Sequence, residues 1–94
     1  MKFESFKGRV SQSVKNPRDA DGAFICTASL DEGEITVSYT TPLTRESQPL
    51  FTLKGGESIE GERLGYLTNG ERARITVESD SGAKGGKIEI TIVR

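Results

Sequence analysis

The chain has 94 residues, a length that supports one hydrophobic core and leaves no room for a second. Apolar residues make up 33% and charged residues 29%, yet 13 cations against 14 acids leave a net charge of −1, without the imbalance of a disordered chain or a general nucleic-acid binder. Cys26 is the one cysteine and histidine is absent, so an internal disulfide, a multi-cysteine zinc site and the usual hydrolytic triads are excluded.

The first residues, MKFESF, break any apolar run, and no stretch approaches membrane-spanning length. The expectation is a single domain over residues 1–94, made in the cytoplasm without a signal peptide and not placed in a membrane. Phe6, Gly8, Val10 and Val14 then share one phase, with Lys7, Arg9 and Ser11 between them, which predicts a first strand. Residues 16–22, NPRDADG, collect the types that fix or permit turn dihedrals and read as a loop.

Phe24, Cys26, Ala28 and Leu30 alternate inward, and Ile35, Val37 and Tyr39 do so after the turn-like residues 31–34. A hairpin there sets Leu30 opposite Ile35, Ala28 opposite Val37 and Cys26 opposite Tyr39. Residues 41–49, with Pro42 and Pro49 near their ends, are expected to cross between sheets, because proline removes a ladder donor. Phe51 and Leu53 resume the alternation, Gly55 and Gly56 interrupt it, and Ile59 rejoins the core.

Asn69-Gly70 suits a type I′ turn and predicts a second hairpin pairing Thr68 with Glu71, Tyr66 with Ala73 and Leu64 with Ile75. A third hairpin around residues 80–85 opposes Ala73, Ile75 and Val77 to Ile92, Ile90 and Ile88, with Glu78 facing Lys87 and Arg74 diagonal to Glu89. No window carries a capped helical repeat. The expected fold is all-β: a small antiparallel β-sandwich of about seven strands, immunoglobulin-like or jelly-roll-like, with a five- or six-stranded barrel as the alternative. Phe24, Tyr39, Phe51, Leu64, Ile75, Ile88 and Ile90 are its candidate core.

Little in the chain points to side-chain chemistry. Cys26 alternates in phase with core residues, which argues against a reactive thiolate. Glu60 and Glu62 share a phase with Glu57 nearby, but no apolar pocket is evident to raise one carboxyl above the other, and no enzymatic role is expected. Asn16, Asp19, Asp21 and Gly22 put oxygen ligands on a candidate ligand loop for calcium or, with residues 80–86, for carbohydrate; the segment lacks the ligand series of an EF-hand, and Asx-turn chemistry accounts for the same residues. Lys54-Gly55-Gly56 and Lys84-Gly85-Gly86 put backbone amides beside a cation but match no phosphate-loop fingerprint. Arg72, Arg74 and Lys87 form a small basic face that Glu78 and Glu89 make mixed in sign. With Phe24, Tyr39 and Tyr66 all expected inward and no tryptophan, the stacking platform of a nucleic-acid binder is missing. No cofactor, metal or nucleic acid is expected as a partner.

The remaining expectation is a non-enzymatic structural or interaction module. Residues 87–94 are strand-like nearly to the end, and Lys87, Glu89, Thr91, Val93 and Arg94 form its candidate interface. A strand at an open edge can pair with another chain, which suits a homo-oligomer or a protein partner in a larger complex such as a virion decoration or fibre-associated protein. The alternatives are a carbohydrate- or calcium-binding module and an inhibitor that inserts residues 41–49 into a partner enzyme.

Overall fold

The computed structural model describes residues 2–3, 8–16, 21–42, 45–68 and 70–93. Phe6, Lys7, Asp19, Asn69 and Arg94, each part of an expectation above, lie outside them. The strands are β1 (Lys2–Phe3), β2 (Arg9–Lys15), β3 (Gly22–Glu32), β4 (Glu34–Thr40), β5 (Gln48–Lys54), β6 (Ser58–Leu67), β7 (Arg72–Ser79) and β8 (Lys84–Val93). They form two four-stranded antiparallel sheets packed together, ordered β1-β8-β3-β6 and β2-β7-β4-β5. The chain is thus an all-β sandwich, and among the described residues no helix is long and apolar enough to cross a membrane.

The pairing obeys one rule. β1 pairs with β8, β2 with β7, β3 with β6 and β4 with β5, as in one long hairpin whose tip is the β4–β5 connection. Rolling that hairpin adds the β3–β8 and β4–β7 ladders. Among the described residues this is the eight-stranded jelly-roll order, the jelly-roll-like form of the expected small sandwich.

All three predicted hairpins are overturned by this topology. Residues 31–34, 68–71 and 80–83 each carry the chain from one sheet to the other, so β3 and β4, β6 and β7, and β7 and β8 never pair. Their inward residues meet across the core, and the alternation that suggests a neighbour in one sheet is equally satisfied by a strand in the facing sheet. The Glu71 N–H does donate to the Thr68 carbonyl at 3.0 Å, but β6 and β7 then diverge into different sheets. Conversely, residues 41–47 do not cross between sheets; they join β4 to β5, which pair within one sheet.

The core lies between the sheets. Phe24, Leu30 and Ile88 from the first sheet and Ile35, Val37, Ile75 and Val77 from the second are almost wholly buried. Phe24 meets Tyr39 across the interface with ring centroids 5.2 Å apart and planes tilted by 59°, a favourable aromatic geometry. Phe51, Leu64 and Ile59 are half-buried against this core. Leu50 and Leu67 are buried although the simple alternation does not mark them. A register shift between Val37 and Ser38 leaves Leu50 as the extra residue of β5, and another between Gly22 and Phe24 turns Leu67 inward. The second shift uses Gly65, whose φ is +69° and where a Cβ would stand 2.8 Å from Leu50 and 3.0 Å from Phe24. The same shift turns Tyr66 outward, 55% exposed, contrary to its expected inward position.

Candidate functional surface

The outer face of the β2-β7-β4 region is built by strand alternation. With Ala73, Ile75 and Val77 inward, β7 presents Arg72, Arg74, Thr76 and Glu78 outward. Across the ladder to β2 these face Lys15, Ser13, Ser11 and Arg9, and across the ladder to β4 Arg74 faces Thr40 and Thr76 faces Ser38. Hydroxyls therefore occupy the middle of the face, with Ser11 Oγ and Thr76 Oγ1 hydrogen-bonded at 3.1 Å. Arg9 Nε and Glu78 Oε1 stand 3.8 Å apart at one end, a solvated pair that contributes little stability.

Toward Arg72 the face is concave, and the lining of that concavity reaches back to Arg9. A depression of about 600 Å³ is lined by Arg9, Arg45, Arg72 and Arg74 together with hydroxyls from Ser13, Thr40, Thr41 and Thr76. Arg45 is brought there by the β4–β5 connection, where its backbone takes a φ of +58° and its N–H donates to the Thr41 carbonyl at 3.0 Å. Glu71 borders this region from the opposite phase: burial pushes its carboxyl up, but hydrogen bonds from Thr68 and Thr41 outweigh that and hold it below the usual glutamate range.

The basic face expected from Arg72, Arg74 and Lys87 is corrected by the topology. Lys87 and Glu89 lie on the outer face of the other sheet, opposite Ser29 and Thr27 of β3. Arg74 is not diagonal to Glu89, and Glu78 faces Arg9 and Thr36 rather than Lys87. The arginines thereby lose one acid that the sequence assigns to them, and the Arg45 contribution is missed in sequence because its position depends on how the hairpin tip folds back.

The candidate ligand loop is used structurally where it is described. Asn16 is 1% exposed, its Nδ2 donating to the Thr68 carbonyl at 3.2 Å and its N–H to the Glu71 carbonyl at 2.9 Å. Gly22 opens β3 and is buried, with no room for a Cβ beside the Val93 carbonyl. Asp21 accepts a hydrogen bond from the Tyr66 phenol, which raises the phenol's pKa. Among the described residues no group of three or more acidic, cysteine or histidine side chains could hold a metal ion. In the 80–86 loop, Asp80 Oδ1 accepts from the Gly82 N–H at 3.1 Å, an Asx-type turn.

Of the candidate interface residues, Lys87, Glu89 and Thr91 are exposed on the outer face of β8 and Val93 is half-buried. β8 is an inner strand, with β3 along its whole length and β1 against Ile88 and Glu89. Cys26 is fully buried, and burial pushes its thiol up to about 11, which keeps it from thiolate chemistry. Glu60 and Glu62 are exposed on β6. No protein-family model matches the chain, and no curated protein sequence matches it.

Proposed function

We propose that this chain is a non-enzymatic structural or interaction module that assembles with further copies of itself through the outer face of β8 and its flank along residues 91–93. The observation that carries this reading is the extent of the β1–β8 ladder among the described residues. Its register covers only Ile88 and Glu89, so along residues 91–93 the one described neighbour of β8 is β3. A strand from another copy, laid in line with β1, would complete that ladder by β-augmentation.

The other edges are poorer templates for pairing. Arg9 and Lys15 bracket β2, Pro49 removes a donor from β5, and β6 is broken by two register shifts. Thr91 and Val93 offer a less charged stretch beside the Lys87 and Glu89 pair. Eight-stranded jelly rolls are frequent in virus particles, and a virion decoration or fibre-associated role agrees with this fold by analogy alone.

Multi-angle light scattering across rising protein concentration tests the reading. The expected result is a mass of two or more chains, reduced to one chain by Val93→Lys with unchanged melting, because a lysine at a strand edge blocks pairing. A one-chain mass at millimolar concentration overturns it.

A further inference from the structure

We propose that the arginine-lined depression on the outer face of β2, β7 and β4 is a binding site for a ligand carrying several phosphate groups. The chain as a whole is nearly neutral, with a net charge of −1, yet four of its cations line this one concavity of about 600 Å³ and no acid does. Glu78 balances Arg9; Arg45, Arg72 and Arg74 have no ion pair with any described residue. With Glu71 held on the opposite phase by Thr68 and Thr41, the guanidinium groups of Arg45, Arg72 and Arg74 leave the concavity itself cationic, which favours an anion there.

The chemistry around the arginines narrows the class of anion. Arg72 and Arg74 are two residues apart on one strand face, so their stems leave the sheet about 7 Å apart and cannot both close on one small carboxylate without bending together. A guanidinium fork pairs two donors with phosphate oxygens, and Ser13 and Thr40 add hydroxyl donors beside the forks. An acidic peptide needs an apolar anchor to be held specifically, and the apolar lining here is confined to Pro42 and the buried Ala73. Bases would need an aromatic platform, and among the described aromatics Phe3, Phe24 and Tyr39 are buried, Phe51 is packed against the core and Tyr66 lies on the other sheet. The phosphate groups themselves are what the site can read. This inference stands apart from assembly through β8, which uses the opposite sheet.

Titration with sodium tripolyphosphate, followed by backbone amide shifts, tests it. The expected result is saturable shifts confined to Ser13, Thr40, Arg72, Arg74 and their neighbours, with affinity lowered roughly tenfold or more in R72Q/R74Q. K84Q/K87Q removes the same charge from the other sheet and is expected to bind as the parent does. Equal loss in both double variants, shifts spread over the whole surface, or tighter binding of a glutamate hexapeptide than of tripolyphosphate each overturns the proposal. A thymidine decanucleotide distinguishes the source: competition with tripolyphosphate at the same amides identifies a phosphodiester backbone, and binding of tripolyphosphate alone identifies a small polyphosphate. Melting of R72Q/R74Q at the parent temperature separates lost binding from lost folding.

Discussion

The Gly55 N–H donates to the Gly33 carbonyl at 2.8 Å, joining the two corners at which the chain passes between sheets, β3 to β4 and β5 to β6. The β7–β8 connection packs against the same point, and Asp80 donates its N–H to the Glu34 carbonyl at 3.1 Å. One end of the sandwich is therefore closed by three corners that fit around Gly33. Its φ is +86°, and a Cβ there would stand 2.4 Å from the Ala83 backbone nitrogen. Gly33→Ala is expected to cost more than about 2 kcal/mol in urea unfolding. Gly56 has a similar φ of +89° with open space around it, so Gly56→Ala is expected to cost about 1 kcal/mol. Equal losses would show that crowding at Gly33 contributes nothing.

Asn16 fastens the end of β2 to the turn at residues 68–71, which carries the chain between sheets. Asn16→Ala removes one of the two hydrogen bonds to the half-buried Thr68 carbonyl, which keeps the Glu71 N–H, and is expected to destabilise by about 1 kcal/mol. A variant that melts with the parent would refute that role.

Cys26 gives a pH-dependent prediction. Burial moves its thiol from 9.0 up to about 11, so the neutral form is the one the fold favours. Its contribution is complete below the unfolded value near 9.0 and is lost as pH rises through about 11. At pH 8 a thiol reagent is expected to modify Cys26 only at the rate of global opening, with reaction and unfolding coinciding in denaturant. Rapid modification of the folded protein would contradict the burial.

Tyr66 gives a second pH-dependent prediction. The hydrogen bond to Asp21 is the main cause that raises the phenol above its ordinary value, followed by partial burial and the charges of Asp21 and Glu71. The bond stabilises the fold below the ordinary tyrosine range and is lost as pH rises through the raised value. Ring-carbon shifts of Tyr66 are expected to titrate later than those of a free tyrosine, and Asp21→Asn is expected to bring the midpoint down. No change in that variant would remove Asp21 as the cause.

The two faces of nearly every strand are legible in the sequence, because alternation reports which side chains meet the core. Partner strands are not. Ile75 and Ile90 point inward in either arrangement, and no local signal says whether they sit side by side or face each other across the core. A turn signal such as Asn69-Gly70 specifies a reversal and not the sheet in which the chain continues. The bulges that invert Tyr66 and bury Leu50 depend on Gly65 and Pro49, whose effect on phase emerges only once the neighbouring strand is known. The arginine depression was half legible: Arg72 and Arg74 alternate outward on one strand, while Arg45 joins them only through the folded tip.

The pairing rule of the strands also governs how quickly the chain can reach this structure. Only β4 and β5 are neighbours in sequence and in the sheet, so their hairpin is the single ladder that closes a short loop. Every other ladder joins more distant segments, ending with β1 on β8 at the two extremes of the chain. Loop-closure entropy must be met before each of those pairings repays it, which places this protein among slow folders despite its small size. Zippering outward from the β4–β5 tip shortens each successive closure, so a break at residues 41–47 would slow folding far more than it weakens the finished sandwich.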